Sequence, residues 1–207
     1  MICSKADLAY YLDECRKAYG VPVRRGLKGY LLSLLFPPGN YAFMRTLRKL
    51  EYWTNRQEGI ICRIMRLFLN FRHSCLGART GIELNVNCAG PGLHIVHGKV
   101  VINSNAKIGA YCKIQSDVTI GGLGRYDVGG APQLGDRVYV GSGARILGRI
   151  KIADGVVIGA NAVVTKDILE PNTTWAGVPA KKVSDNGSDM YLREEFRVAK
   201  NITNGRS

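Results

Sequence analysis

The chain has 207 residues, 46% hydrophobic and 22% charged, which is typical of a soluble globular protein with one or two domains. Its longest apolar stretches, 29–38 and 60–71, are too short to span a bilayer, which excludes a transmembrane protein. The net charge of +13 lies mainly in residues 1–80, where 14 Lys and Arg stand against 5 Asp and Glu, a surplus of 9. This surplus suggests an anionic partner such as membrane lipid, a nucleotide-linked substrate or nucleic acid, of which we expect nucleic acid least, and the alternative is a merely solvated basic face.

The first residues lack the pattern of a secretory signal, because Asp7, Asp13 and Glu14 interrupt any apolar start. The six cysteines have no CxxC spacing, so we expect reduced thiols and no bound metal. These observations predict a cytoplasmic protein, with the inner face of the membrane as a further expected location if the basic residues contact lipid.

Apolar residues three and four apart predict four helices at the front of the chain, over 4–19, 27–36, 41–53 and 58–75. Residues 37–40, with the sequence PPGN, predict a turn before the third helix. Basic residues line the last two helices, and they suit either an amphipathic helix on anionic lipid or the outer face of a helical bundle, which we prefer. They are Arg45, Arg48, Lys49, Arg56, Arg63, Arg66, Arg72 and Arg79.

From residue 102 to 164 the chain repeats a six-residue pattern. Large apolar residues stand six apart, and a second small or branched residue follows most of them by four. Neither a helix nor an isolated strand has this period, which is typical of a solenoid with three hexads in each turn. We therefore predict a mainly β solenoid whose anchors stack inward as ladders. The anchors are Ile102, Ile108, Ile114, Ile120, Leu134, Val140, Ile146, Ile152, Ile158 and Val164.

An earlier stretch, 88–100, has an ambiguous register. A spacing of six puts Gly90 and Val96 inward, which are poor core residues. The same stretch holds His94 and His97, the only histidines of the coil, so the irregular turn is the first place to look for a functional group.

Two other stretches also leave the repeat. Residues 121–133 are rich in glycine and should form an exposed loop that walls a binding site. Residues 184–207 are polar, with one weak helical pattern over 190–199, so we expect a loosely held tail.

These residues resemble the left-handed β-helix acyltransferases, and among them the serine O-acetyltransferase branch. The resemblance implies an α-helical domain over 1–79, a left-handed parallel β-helix over 80–183 and a polar tail over 184–207. It rests on TGIELN (80–85), GLHIVHGKVVINSNAKIG (92–109), VTIGG (118–122), VGSGARILG (140–148), IGANAVVTKD (158–167) and WAGVPAKKV (175–183).

The resemblance implies acetyl transfer from acetyl-CoA to a hydroxyl group, in an active site between two subunits of a homotrimer. Pairing of trimers through the N-terminal helices stays open. His97 matches the family's catalytic histidine, which as general base takes the proton of the attacking hydroxyl. Glu83 matches the carboxylate that orients this histidine. The expected CoA contacts are Ser142, Gly143, Ala160, Thr165, Lys166, Lys181 and Lys182.

The chain departs from the family pattern around the acceptor. Gly130 and Ala131 stand where the serine acetyltransferases hold a basic residue and a second histidine, and the coil around His97 is one residue shorter. A serine carboxylate would lack partners in that loop, which is unfavourable in a closed site. Arg125 and Tyr126 are then the loop residues expected to face the acceptor. We therefore expect a sugar hydroxyl in surface-polysaccharide assembly, with L-serine as the alternative.

Two other classes compete with an acetyltransferase. A zinc carbonic anhydrase on the same coil needs three histidines from facing turns, and the chain has only His73, His94 and His97. We interpret His73 and His94 as structural. The other competitor is a non-catalytic basic solenoid used for assembly or anion binding.

Overall fold

The computed structural model of the protein describes residues 1–22, 39–56, 59–124 and 129–197. Within these ranges, three helices precede a coil of short strands: α1 (Lys5–Ala18), α2 (Gly39–Thr54) and α3 (Ile60–Thr80). The helix predicted over 27–36 lies outside the described residues. Within the described ranges, none of the helices combines the length and the hydropathy that crossing a membrane requires.

Local signals explain where the helices begin and end. The Ser4 hydroxyl accepts a hydrogen bond from the Asp7 N–H at 3.0 Å, and the Asp7 carboxylate accepts one from the Ser4 N–H at 2.8 Å, so the two residues form a capping box. Helix α3 ends at Gly81, whose φ of 69° is the left-handed conformation that glycine adopts without strain. Gly39 and Asn40, predicted as turn residues, instead form the first turn of α2.

The strands form three sheets, which are the faces of the coil and are hereafter sheets A, B and C. The chain visits them in the order A, B, C, and neighbouring strands are parallel except for the last pair of sheet C. Sheet A contains β1 (Ile82–Glu83), β3 (Val100–Ile102), β6 (Thr119–Gly121), β9 (Arg145–Leu147) and β12 (Val163–Val164). Sheet B contains β4 (Lys107–Ile108), β7 (Gln133–Leu134) and β10 (Lys151–Ile152). Sheet C contains β2 (His94–Ile95), β5 (Lys113–Ile114), β8 (Tyr139–Val140), β11 (Val157–Ile158), β13 (Thr174–Ala176) and β14 (Lys181–Ser184).

The hydrophobic core is the inside of this coil. All ten predicted anchors are between 0% and 5% exposed. The strand register stacks them as predicted, with Ile102 beside Ile120 and Ile120 beside Ile146 in sheet A. Because each turn covers only its neighbours, no turn has a core of its own. The prediction of a mainly β coil behind a small helical domain is confirmed.

The first turn of the coil has a different register from the others. Ile95 pairs with Ile114, nineteen residues later, whereas Ile102 pairs with Ile120, eighteen residues later. Ile95 is fully buried, so the six-residue spacing through Gly90 and Val96 is wrong. The additional residue lies in the corner between β2 and β3.

The helical domain is tied to this first turn by a buried arginine. Arg48 was expected on the basic surface, but it is fully buried. Its guanidinium donates to the Glu51 carboxylate at 2.9 Å and to the carbonyl oxygens of Ala89 at 2.8 Å and Gly90 at 2.5 Å. Because a guanidinium is costly to bury without such partners, Arg48 fixes α2 against the coil.

The tail covers sheet C. After β14 the chain forms two short 3-10 helices, Ser188–Tyr191 and Glu194–Phe196. The Tyr191 ring stacks on Tyr139 with centroids 4.2 Å apart, and Phe196 stacks on Tyr111 at 4.8 Å. Residues 188–196 therefore pack against the coil, whereas we expected a loosely held tail.

Candidate functional site

His97 lies on the corner where the chain passes from sheet C to sheet A. Four residues, 96–99, separate Ile95 from Val100 here, whereas three residues, 115–117, form the same corner one turn later. The longer corner projects from the coil, and His97 is exposed on it. The imidazole is therefore available to a ligand at the edge between sheets C and A.

The end of α3 holds this corner in place. The Thr80 carbonyl oxygen accepts a hydrogen bond from the Lys99 N–H at 3.2 Å. A Cβ added to Gly98 would lie 1.8 Å from the same oxygen, so only glycine allows the corner to approach α3 this closely. The glycine after His97 is thus required by packing.

Helices α1 and α2 hold the strand that leads into the corner. The Asn40 amide donates to the carbonyl oxygens of Ile95 at 3.1 Å and Val96 at 3.3 Å. The Tyr19 hydroxyl donates to the Ile95 carbonyl at 3.2 Å and accepts from the Ile95 N–H at 3.1 Å. Burial raises the pKa of Tyr19, so its hydroxyl stays neutral and can serve both bonds.

Sequence reasoning did not find Tyr19 or Asn40 as contributors to the site. Each acts on a residue more than fifty positions away, and neither belongs to a motif that marks such a contact. Asn40 was read as part of a turn. The only available sequence signal was that both residues end or begin a helix next to a break in the pattern.

The other two histidines are in structural positions. The His94 ring lies 4.5 Å from the Tyr19 ring, and burial, followed by the charges of Lys113 and Arg193, lowers the pKa of His94 to about 4. The His73 ring packs on Phe43 at 4.6 Å, and burial lowers its pKa as well. Both imidazoles are neutral at pH 7, and their structural roles stay predictions.

Three of the predicted CoA contacts lie on the same edge of the coil as His97. Ser142 and Gly143 form the corner between β8 and β9, and Ala160 lies in the corner between β11 and β12. Ser142 meets Ser116 of the preceding turn at 3.4 Å between hydroxyl oxygens, and its carbonyl accepts from the Asn161 N–H at 2.8 Å. The turns stack so closely here that small residues predominate, and the edge presents backbone and hydroxyl groups to a ligand.

Three further predicted contacts lie near the C-terminal end of the coil. Thr165, Lys166 and Lys181 line one cavity of about 250 Å³. Its two ammonium groups suit phosphate oxygens. Lys182 instead forms ion pairs with Asp185 at 2.5 Å and Glu170 at 2.6 Å, which raise its pKa. Lys182 is therefore less suited to a nucleotide than Lys181.

Glu83, the predicted partner of His97, lies on β1 of sheet A. Glu83 pairs with Val101, four positions after His97, and points outward from sheet A. Among the described residues, no hydrogen bond or ion pair joins the two side chains. The orienting role of Glu83 stays a prediction.

The expected acceptor loop is described only in part. Arg125 and Tyr126 lie outside the described residues. Ala131 is 6% exposed, so it packs into the coil and does not face a ligand. Over the described ranges, three or more His, Cys, Asp or Glu side chains do not gather in an arrangement that could hold a metal ion.

Comparison with known proteins agrees with this geometry. Residues 131–166 match the family "Bacterial transferase hexapeptide (six repeats)". The chain is 45% identical over 107 residues to a serine acetyltransferase of Helicobacter pylori strain J99, an alignment that covers 51% of this chain and 62% of that protein. The resemblance to the serine acetyltransferase branch is confirmed.

Solved structures extend the likeness beyond the coil. Soybean serine acetyltransferase complexed with serine has a TM-score of 0.64 and 29% identity, with 85% of this chain and 69% of that chain covered. A serine acetyltransferase in complex with CoA has a TM-score of 0.60 and 22% identity, which covers 85% of this chain and 67% of that one and shows the fold alone. The chain spans only 45% to 62% of the length of the first curated relatives that it matches.

Proposed function

We propose that the chain is an acetyl-CoA-dependent O-acetyltransferase with His97 as its general base. The observation that carries this proposal is the line of small residues beneath His97. Ser142, Gly143 and Ala160 occupy the same corner in successive turns, so a chain-like thioester can lie along the edge and end beside the imidazole. The name of the relatives, serine acetyltransferase, supports acetyl-CoA as the donor.

The chemistry needs one group that moves a proton. His97 accepts the proton of the acceptor hydroxyl as its oxygen attacks the thioester carbonyl. The imidazolium then returns this proton to the departing CoA sulfur when the C–S bond breaks, so the base is regenerated. Asn40, Tyr19 and Thr80 fix the backbone around His97, which keeps the ring in one place during both transfers.

We propose that two copies of the chain form each site, as in a homotrimer. Thr165 and Lys166 follow β12, so they leave sheet A on its edge with sheet B. His97 and Ser142 lie on the opposite edge of sheet A. When the edge between sheets A and B of one copy packs against the opposite edge of sheet A in a neighbouring copy, the two sets of residues surround one ligand.

L-serine is the first acceptor that we propose. The sugar hydroxyl that we ranked first has no support among the relatives, which are named serine acetyltransferases, so the order of the two candidates is reversed. One observation keeps the sugar as a second candidate. Gly130 and Ala131 supply no cation for a carboxylate, and Ala131 is buried. Association with the inner face of a membrane also stays a proposal.

Release of CoA thiol from acetyl-CoA tests the function. We expect turnover with L-serine, and a loss of about 10² to 10⁴-fold in His97→Asn, because a missing general base costs about that factor. Gln133→Ala, an exposed change on sheet B, is the control and should keep full activity. Turnover with N-acetylglucosamine and none with L-serine would restore the sugar acceptor.

Two other results bear on the assignment. If no hydroxyl acceptor gives thiol release, the acetyltransferase assignment is wrong and a non-catalytic solenoid is favoured. Glu83→Gln separates the two predicted site residues: if Glu83 orients His97 across the subunit boundary, kcat falls and its pH profile shifts, whereas an unchanged profile removes Glu83 from the site and leaves His97 in it.

A further inference from the structure

The exposed side of α3 carries a continuous apolar surface. Six large residues of this helix are between 56% and 72% exposed, an unusual fraction for such side chains. Their spacing of three, four and seven residues places them along one side of the helix. We name this surface the α3 stripe, and it consists of Ile60, Ile61, Ile64, Leu67, Phe68 and Phe71.

The opposite side of α3 already has its partner. Leu69 is buried, and the His73 ring lies 4.6 Å from Phe43 of α2. Helix α3 therefore does not need the stripe for its own packing. A surface of six large apolar side chains that the fold leaves exposed indicates an external partner.

The charges on α3 define that partner further. The helix contains Arg63, Arg66, Arg72 and Arg79 but no Asp or Glu. On a helix of 3.6 residues per turn, Arg63 and Arg72 fall on opposite borders of the stripe. Arg72 also lies close to Lys49 of α2, close enough to help lower the pKa of Lys49 after burial and Arg45. The stripe is thus bordered by cations on both sides.

We propose that the α3 stripe lies on the surface of an anionic lipid bilayer. Acyl chains cover the Ile, Leu and Phe side chains, and lipid phosphates pair with the bordering arginines. The arginines keep the helix in the plane of the interface, where its apolar side is buried to a depth of about 5 to 10 Å. This proposal rests on α3 and not on the proposed acetyl transfer.

A second copy of the chain fits the stripe less well. Two α3 helices packed stripe to stripe bring Arg72 and its neighbouring cations on α2, Lys49 and Arg45, toward the same group of the other copy. Like charges that approach one another repel, whereas an anionic surface attracts them. Charge complementarity therefore favours lipid.

Flotation of the full chain with lipid vesicles tests the proposal. We expect the protein to float with vesicles of phosphatidylcholine and phosphatidylglycerol in equal parts and to stay behind with phosphatidylcholine alone. Raising the salt to about 1 M should weaken binding, since it shortens the screening length to about 3 Å. Equal flotation with both lipids, or none with either, would overturn the proposal.

Paired variants locate the contact. Leu67→Gln with Phe71→Gln should lower the partition into anionic vesicles about a hundredfold, because two large side chains no longer enter the interface. Leu169→Gln with Met190→Gln removes similarly exposed side chains outside the helical domain and should change nothing. Arg72→Gln with Arg79→Gln should lower binding about tenfold. If the control pair reduces binding as much as the stripe pair, the stripe is not the contact.

Oligomeric state and activity distinguish the alternatives. Sedimentation should give the same mass for the stripe variant and for the unchanged chain, and thiol release without vesicles should also be unchanged. A smaller mass for the stripe variant, with no flotation of the unchanged chain, would make the stripe a contact between copies and overturn the lipid assignment. Flotation without thiol release would refute the proposed enzyme and leave the lipid contact standing.

Discussion

The regular turns of the coil and its first turn consist of the same kind of short strand but have different roles. From Ile102 to Val164 the turns repeat one another apart from the interruption at 121–133, and the inward anchors stack on one another. In the first turn the corner between β2 and β3 has one more residue, and His97 projects from it. Three helices hold this corner, whereas the regular corners are held by their own neighbours. Regular repetition stabilises the coil, and one local exception creates the candidate site.

The largest expected effect comes from a charge inside the regular turns. Ile146 is fully buried between Ile120 and Val164, so Ile146→Asp puts a carboxylate where no partner is available. We expect the loss to exceed about 4 kcal/mol, which is enough to unfold most domains. Circular dichroism and urea unfolding measure it. Ile146→Val is the matched control and should cost only about 1 kcal/mol. A soluble Ile146→Asp variant that unfolds cooperatively would contradict the stacked core.

The next effect comes from the contact between the helical domain and the first turn. Arg48→Met leaves the Glu51 carboxylate buried without its cation and leaves the Ala89 carbonyl without its donor. We expect a loss of about 3 to 5 kcal/mol in the free energy of unfolding.

A second substitution shows whether the buried charge is the cause. Arg48→Met combined with Glu51→Gln should recover part of the loss in urea unfolding, because the unpaired charge is gone. Equal stability of the single and double variants would show that Arg48 acts through packing alone.

The smallest effect on stability, but a clear one on activity, comes from the corner itself. Gly98→Ala brings a methyl group onto the Thr80 oxygen, so the corner must move away from α3. A displacement of about 1 Å can cost a hundredfold in rate, and we expect a loss of that order in thiol release. Gly59→Ala, at the start of α3 and away from the corner, is the control, because its added Cβ meets no atom of the described residues within 4 Å. Similar rates for both variants would show that the position of the corner is not critical.

The sequence was informative where structure depends on local repetition. Ile102 and Ile146 could be placed in the core because the position of a residue within the six-residue repeat shows whether it points inward. The register of the first turn could not be read, since Ile95 is defined by pairing with Ile114 and by bonds from Tyr19 and Asn40 that lie far away along the chain.

The site was predictable only through the family resemblance, and then unevenly. His97, Ser142 and Ala160 lie on one edge, as a single ligand requires. The strand register places Glu83 beside Val101, and its orienting role toward His97 stays a prediction. The burial of Arg48 could not be anticipated either, since a run of basic residues on a helix does not reveal which one meets a carboxylate and two carbonyl groups from another domain.

The stacked aromatic rings of the tail make the three faces of the coil unequal. Residues 188–196 cover sheet C, and sheet B presents Lys107, Gln133 and Lys151 to solvent. Among the described residues, sheet A presents an apolar side chain, Val101, which is 40% exposed. A prism with three equivalent sides could add copies in any direction and grow into a lattice. Three unequal faces restrict those directions, and a contact that joins two different edges gives a closed ring when its rotation closes.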